Sequence, residues 1–173
     1  MAADFRTMAV SGRVDAAELE RLLEAEGRRL FSIALAILRD PVEAEDAVQE
    51  TALAAWRGWE GRTDPERSRA WLTTICVRQA IRRRSMVRRW LRGGERRDQV
   101  DEAERHLEGG GAHLDLHRAY ATLSPKQRAV VALHYGHGYT LTECAELMGC
   151  SGGAVASHLS RALARLRKEL SDE

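Results

Sequence analysis

Two pairs of histidines have the spacing at which imidazole rings can share a metal ion. His113 and His117 lie four residues apart in the sequence. His134 and His137 lie three apart, so each pair falls on one face of a helical segment. A zinc site needs three or four protein ligands, and no cluster of carboxylates accompanies either pair. We therefore expect exposed or packed histidines, and we predict that the chain binds no metal and no other cofactor.

The cysteines give no sign of redox or covalent chemistry. Cys76, Cys144 and Cys150 are an odd number and include no C-x-x-C pair. Cys76 and Cys144 fall on apolar stripes, where cysteine packs as a small hydrophobic residue. The sequence predicts reduced, inert thiols and no catalytic residues. We predict that the protein is not an enzyme, and an enzyme acting on nucleic acid is a weak alternative.

Charge is segregated along the chain, although the formal net charge is only +1. Residues 13–60 contain eleven acidic residues against six arginines, a net of −5. Residues 78–97 contain nine arginines against one glutamate, a net of +8. An acidic surface attracts a basic protein, whereas closely spaced arginines bind phosphates. The sequence therefore predicts one protein-binding surface and one nucleic-acid-binding surface.

Each charged segment also has a plain structural explanation. The acidic residues from Glu43 to Glu50 lie away from the apolar stripe of their helix, as hydrated acidic faces commonly do. The arginines after Val77 could form a hydrated, disordered run. Because they extend an amphipathic helix, we favour a strip that contacts phosphates.

Residues 140–170 have the pattern of a helix-turn-helix. Thr140 and Glu143 form a capping box at the start of the first helix, and Gly149 can end that helix in the left-handed conformation. Ser151 caps a second helix whose apolar residues repeat at helical spacing. The pattern predicts a DNA reader with residues 152–161 as its recognition segment, and an ordinary helical hairpin is the alternative.

The remaining elements predict an all-α protein of two small helical domains joined by a flexible linker. A first helix is expected from Asp15 to Leu38, after a frayed tail. Asp40-Pro41, Asp64-Pro65 and Ser124-Pro125 each place a cap before a proline and so start further helices, with Glu43 completing a capping box after Asp40. Three glycines at 109–111 mark the linker. We place the domains at 16–91 and 114–170, with the linker at 92–113.

No apolar run approaches the roughly 20 residues that cross a bilayer, and the first residues lack the pattern of an export signal. We therefore expect a cytoplasmic protein with no membrane insertion.

Two blocks of the sequence resemble the bacterial extracytoplasmic-function (ECF, group IV) sigma factors of RNA polymerase, in the sigma-70 family. DPVEAEDAVQETALAAWRGW is similar to the family's D-A-E-D-x-V-Q-E-x-F-x-x-A-W, and RAWLTTICVRQAIRRRS to its W-L-x-x-I-A-x-N-x-x-x-D. LSPKQRAVVALHYGHGYTLTECAELMGCSGGAVASHLSRALARLR resembles its L-P-x-x-x-R-x-V-x-L and helix-turn-helix patterns. The resemblance covers about residues 16–170 and implies a sigma-2-like bundle followed by a sigma-4-like four-helix domain.

The resemblance implies a role for several residues. It assigns docking on the clamp helices of the polymerase β′ subunit to four of them: Glu45, Asp46, Gln49 and Glu50. The third helix and the loop before it would bind and open the downstream (−10) promoter element as single strands, with six candidates: Arg62, Arg69, Arg78, Arg82, Arg83 and Arg84. The recognition helix would read the double-stranded upstream (−35) element, with seven candidates: Ser151, Gly152, Gly153, Ala154, Ser157, His158 and Arg161. Three tryptophans that could stack on bases are expected in the core instead: Trp56, Trp59 and Trp71.

The family resemblance further implies a chain that binds core RNA polymerase, including its β flap, and directs promoter recognition, opening and initiation. An anti-sigma protein is a candidate partner, since many relatives have one. The alternative function is a stand-alone helix-turn-helix regulator, which would normally dimerise on two half-sites.

Four residues depart from the family pattern. Arg78 and Arg82 stand where the family has asparagine and aspartate, which adds positive charge near the promoter. Ala156 and His158 stand where the family has basic residues. We expect weaker binding to the upstream element, with a salt dependence reduced by about one unit of slope for each lost phosphate contact.

Overall fold

The computed structural model describes residues 4–59, 64–91 and 111–171, which form seven α-helices and no β-strand. No helix in these ranges is both long and apolar enough to span a bilayer. The last turn of α5 continues into a π-helical turn, Ala132–Gly136. In chain order the helices are α1 Asp4–Leu38, α2 Pro41–Gly58, α3 Pro65–Leu91, α4 Gly111–Thr122, α5 Pro125–Val131, α6 Leu141–Met148 and α7 Gly152–Ser171.

Two helices begin earlier than the sequence predicted. α1 begins at Asp4, so the expectation of a frayed tail is wrong for residues 4–15. Residues 4–15 contain no proline and several good helix formers, and they continue the helix backwards from its packed part. α4 begins at Gly111, inside the predicted linker, and residues 92–110 lie outside the described part of the chain.

The predicted caps determine where α2, α3 and α5 start. Asp40 Oδ1 accepts from the backbone N–H of Glu43 at 3.0 Å, and Asp64 Oδ1 accepts from that of Glu66 at 3.1 Å. Ser124 forms a capping box with Gln127. The prediction that Glu43 closes a box with Asp40 is wrong, because the Glu43 carboxylate accepts a hydrogen bond from Arg83 instead.

The first three helices pack around an aliphatic core. Leu30, Ile33 and Ile37 of α1 are fully buried, as is Leu72 of α3. α2 contributes small buried residues, which allow its backbone to lie close to its neighbours: Ala44, Ala47, Thr51 and Ala55. This close packing fixes the position of the α2 surface relative to α3.

The second group of helices, α4 to α7, packs directly against the first. Buried residues of both groups form one continuous cluster that runs from Leu19 to Val155. α3 lies against α6 and α1 lies against α5. Across this boundary Arg29 Nη1 donates to the Tyr139 hydroxyl at 2.5 Å. We refer to α1–α3 and α4–α7 as the first and second halves.

Candidate protein- and nucleic-acid-binding surfaces

The acidic residues predicted to dock a protein lie on α2, and an arginine of α3 lies among them. Glu45 and Gln49 are exposed. Arg83 donates through Nη2 to Asp46 Oδ2 at 2.9 Å and through Nη1 to Glu50 Oε1 at 2.7 Å. All four predicted docking residues are thus accessible, and two are already bonded to an arginine that was expected to bind DNA.

Glu43 completes this group, because its Oε2 accepts from Arg83 Nε at 3.0 Å. Glu43, Asp46 and Glu50 follow the i, i+3, i+7 spacing that places residues on one helix face. Burial by itself lowers the pKa of the Arg83 guanidinium, but the three carboxylates outweigh it and raise that pKa. Glu43, Asp46, Glu50 and Arg83 therefore form one bonded cluster. Sequence reasoning gave Glu43 only a capping role, although its spacing from Asp46 and Glu50 was a usable signal.

Two large apolar side chains extend the same side of α2. Leu53 is 56% exposed and Trp56 is 46% exposed. They follow Gln49 at i+4 and i+7, next to the acidic residues. The prediction that Trp56 belongs to the core is therefore wrong. Trp59 and Trp71 do pack inside, with ring centroids 6.2 Å apart.

The six arginines predicted for downstream DNA do not form one group. Arg62 lies outside the described residues. Arg69 and Arg83 are held by carboxylates. The other three have accessible or half-buried side chains that form no ion pair with a described residue: Arg78, Arg82 and Arg84.

Arg69 belongs to a buried polar network around Glu26, which is 6% exposed. Glu26 accepts from Arg29 Nε at 2.5 Å and from Arg69 Nε at 2.7 Å. Arg29 also donates to Thr73 Oγ1 at 2.7 Å, besides its bond to Tyr139 of the second half. The network therefore joins α1 and α3 to the segment that precedes the helix-turn-helix.

Replacing Glu26 with glutamine is expected to lower the free energy of unfolding by about 2 kcal/mol, or roughly 4–8 °C in Tm. The loss is smaller than for a fully buried pair because Arg29 and Arg69 are 25% and 45% exposed and stay hydrated. Burial raises the pKa of Glu26, but the two arginines outweigh it and hold that pKa below its usual 4.5. The ionic contribution is thus complete above pH 4.5 and disappears as the pH falls through the lowered value. Thermal melts of both proteins across the acid range measure this difference.

Glu66→Gln is the matched control. Glu66 also pairs with Arg69, but its side chain is 84% exposed, so its loss is expected to leave Tm unchanged within error. Equal melting of Glu26→Gln and wild type at neutral pH would contradict the stabilising role of the network.

The helix-turn-helix has the predicted local geometry. Thr140 Oγ1 accepts from the Glu143 N–H at 3.2 Å, and Glu143 Oε2 accepts from the Thr140 N–H at 2.7 Å. Gly149 ends α6 with φ 65°, a left-handed conformation that favours glycine. Ser151 Oγ then accepts from the Ala154 N–H at 3.3 Å and starts α7.

α7 buries one face and presents the predicted reading residues on the other. Val155 and Ala162 are fully buried. Burial, with the nearby cations of Lys126 and Arg161, lowers the pKa of His158, so its imidazole is neutral at pH 7. The seven predicted residues are exposed or half-buried along the N-terminal part of α7: Ser151, Gly152, Gly153, Ala154, Ser157, His158 and Arg161.

The structure brings the downstream and upstream candidates together. Arg78 Nη2 donates to the Glu146 carbonyl at 3.1 Å, at the end of α6. A Cβ on Gly149 would lie 3.0 Å from Arg78 Nε. Arg78 and the turn from Glu146 to Gly152 line an open groove of about 690 Å³. Nothing in the sequence pattern indicated this contact.

Two of the four candidate histidines, His117 and His134, contact other protein groups, and the His113 side chain lies outside the described part of the chain. His134 Nδ1 lies 2.7 Å from the Tyr139 carbonyl oxygen, and His117 Nδ1 lies 3.4 Å from Arg39 Nη2. Burial, followed by the charge of Arg29, lowers the pKa of His137. Within the described ranges, no three histidine, cysteine or acidic residues are arranged as metal ligands.

Comparison with known proteins matches both halves. The family Sigma-70 region 2 matches residues 22–92, and the family Sigma-70, region 4 matches residues 113–166. An RNA polymerase sigma-E factor of Streptomyces antibioticus is 34% identical, over 88% of this chain and 84% of that protein. The ECF RNA polymerase sigma factor SigL of Mycobacterium tuberculosis is 33% identical, over 91% of this chain and 92% of that protein.

Solved structures show the same relationship. The sigma factor RpoE from Bartonella quintana, in complex with the anti-sigma factor NepR, aligns with TM-score 0.60 and 26% identity over 90% of this chain and 96% of that one. CnrH, in complex with the cytosolic domain of CnrY, aligns with TM-score 0.62 and 25% identity over 95% of both chains.

Proposed function

Because this chain belongs to the extracytoplasmic-function sigma factors of RNA polymerase, which direct transcription initiation, we propose that its two halves divide the contacts with polymerase and promoter. The supporting observation is the presence of both sigma-70 segments in order, at 22–92 and 113–166. A stand-alone regulator needs only a helix-turn-helix and leaves the first match unexplained. We assign residues 16–91 to region 2, 92–113 to the linker and 114–170 to region 4.

Core polymerase docks on the exposed side of α2. Glu45, Asp46, Gln49 and Glu50 supply its charge and hydrogen-bonding groups, with Glu43 beside them. Leu53 and Trp56 supply exposed apolar area next to these acids. An aromatic anchor beside complementary charge is the usual composition of a binding hot spot. This surface fits the basic clamp helices of the β′ subunit, and the second half fits the β flap.

The downstream promoter element binds along α3. Arg78, Arg82 and Arg84 supply the positive surface, and Arg62 in the preceding loop remains a candidate. A cationic groove suits the opened single strands because it follows the phosphate backbone. Arg69 is a structural residue in this proposal, since it is committed to Glu26.

The upstream element binds α7. The N-terminal backbone at Ser151, Gly152 and Gly153 faces phosphates with the positive end of the helix dipole, and Arg161 adds a cation. Ala154, Ser157 and the neutral His158 face base edges.

The two halves separate when both promoter elements are bound. The elements are roughly 25 base pairs apart, which is about 85 Å along the duplex. In the packed arrangement Arg78 and the turn before α7 are in hydrogen-bond contact, at 3.1 Å. The longest described helix, α1 with 35 residues, measures only about 52 Å. The packed arrangement therefore falls short of spanning both elements, and the halves must move apart to bind them.

The proposal has three further parts. The protein works in the cytoplasm, with the polymerase. It performs no catalysis, because RNA synthesis belongs to the polymerase. An anti-sigma protein is a candidate partner, and the solved relative bound to the anti-sigma factor NepR supports it.

Run-off transcription with bare core polymerase and a library of promoter fragments tests the proposed function. The expected result is selection of start sites by the purified chain, with protection of both elements. A chain that binds DNA but gives no start-site selection with polymerase would support the regulator instead.

Arg161→Ala is expected to weaken binding of the holoenzyme to upstream-element DNA and to reduce the salt slope by about one unit, since one phosphate contact is lost. Titrating the same fragment at several salt concentrations measures both effects. Arg167→Ala is the control, since Arg167 is exposed near the opposite end of α7. An unchanged slope for Arg161→Ala would remove Arg161 from the site.

A further inference from the structure

We propose that Arg83 positions the acidic side chains that dock on polymerase and does not contact promoter DNA. This inference rests on the proposed docking role of α2. It assigns Arg83 to the polymerase-docking surface, whereas the neighbouring Arg82 and Arg84 are assigned to the DNA-binding surface.

The guanidinium of Arg83 bonds to all three acids, each through a different nitrogen. Nε, Nη1 and Nη2 each donate to a different carboxylate, at 3.0, 2.7 and 2.9 Å. These are lengths typical of charge-assisted hydrogen bonds. Each carboxylate therefore has one oxygen held by Arg83, while its second oxygen has no hydrogen bond to a described residue. Three acceptors at fixed positions are thus presented to a partner.

Without Arg83 the three acids would not hold this arrangement. Glu43, Asp46 and Glu50 share one face of α2, so their like charges repel and their side chains would spread into solvent. Fixing them before docking removes an ordering cost that binding would otherwise have to meet. Arginine suits this task because its planar fork offers donors in several directions at once.

The burial of Arg83 separates it from the arginines proposed to bind DNA. Its side chain is 22% exposed, less than the 33–47% of its three carboxylate partners. The adjacent Arg82 is exposed and forms no ion pair with a described residue. A phosphate approaching the remaining N–H groups of Arg83 would meet the negative charge of three carboxylates, whereas Arg82 forms no such ion pair with a described residue.

Losing Arg83 has two opposing effects on the affinity for core polymerase, one through charge and one through side-chain positioning. Removing its positive charge makes the α2 surface more negative, and attraction of a basic partner alone would then tighten polymerase binding. Loss of positioning weakens binding, because three acids must be ordered on docking. We expect positioning to dominate, with a roughly tenfold rise in Kd for core polymerase that appears mainly as faster dissociation.

The test compares Arg83→Met with Arg82→Met in the full-length chain. Methionine keeps the apolar stem of the side chain and removes its charge. Arg83→Met should bind core polymerase about tenfold more weakly, while the assembled holoenzyme keeps the wild-type salt slope on downstream promoter DNA. Arg82→Met should show the reverse: normal polymerase binding and a slope lower by about one unit.

Two further variants distinguish positioning from a loss of folding or charge. Arg83→Lys keeps the charge but cannot bridge three carboxylates, so it should retain most of the defect. In a background with Glu43→Gln, Asp46→Asn and Glu50→Gln, Arg83→Met should cause no further loss, because its partners are gone. A general folding defect would instead persist in that background.

Unchanged or tighter polymerase binding by Arg83→Met would overturn this inference, as would a reduced salt slope on promoter DNA. Asp46→Arg with Glu50→Arg separates this outcome from failure of the docking surface itself. If that double variant also binds polymerase normally, the proposed docking surface fails. If only the double variant is defective, the surface stands and Arg83 has no part in it.

Discussion

Asp46→Arg combined with Glu50→Arg is expected to reduce the affinity for core RNA polymerase by roughly a hundredfold or more. Each substitution replaces an accessible acid of α2 with a base, so a basic partner meets repulsion where it had two ion pairs. The change also places two cations beside Arg83, which now lacks its partners at 2.7 and 2.9 Å. Native mass spectrometry or a titration of labelled polymerase measures the loss.

The double variant should still fold. Asp46 and Glu50 side chains are 47% and 45% exposed, and ion pairs at such sites contribute about 0–1 kcal/mol each. The control is Glu20→Arg with Glu24→Arg, an equal change of net charge at two exposed sites on α1. Comparable loss of binding in both variants would show that overall charge, rather than the α2 surface, governs association.

Holding the two halves together covalently is expected to reduce transcription from a promoter with both elements to background. Arg78→Cys places a thiol on α3 across the groove from the native Cys150, and a short bismaleimide can join the two. The joined protein cannot extend across about 85 Å of DNA. The same variant before cross-linking lacks only the Arg78 contact with the downstream element, so its activity is the reference, and the comparison separates closure from loss of the Arg78 side chain.

The other cysteines should not interfere with this experiment. Cys76 and Cys144 are buried, and burial raises the pKa of both thiols to about 11, so they remain protonated and slow to react. Cys150→Ser in the Arg78→Cys background cannot form the cross-link, so its activity should survive the reagent. Full activity of the cross-linked protein would show that promoter binding does not require the halves to separate.

Local features were predictable because their causes lie within a few residues. The Thr140 and Glu143 box, the left-handed Gly149 and the caps at Asp64 and Ser124 all appear where expected. The caps join residues three or fewer positions apart, and the left-handed turn needs only a glycine, so the sequence shows each cause directly. The family motifs in the two halves were recognisable for the same reason.

Exposure was less predictable than periodicity. Trp56 follows the apolar spacing of α2 but is 46% exposed, because the small residues of that helix fill the contact with α1 and α3. A stripe in the sequence identifies a candidate core face, and only the packing of neighbouring helices decides where that face ends.

The amino-acid sequence by itself determined most helix boundaries and caps, the helix-turn-helix and the membership of the sigma family, since these depend on short-range spacing. It missed the starts of α1 and α4. The tertiary structure alone decided which charges meet. Arg83 and Glu43 are 40 residues apart in the chain, as Arg69 and Glu26 are 43 apart. Arginines in one basic run are identical in the sequence, but packing of α3 between its neighbours directs Arg83 towards carboxylates and leaves Arg82 and Arg84 without an ion pair to a described residue. Side-chain direction on a packed helix depends on the whole fold, and no local pattern encodes it.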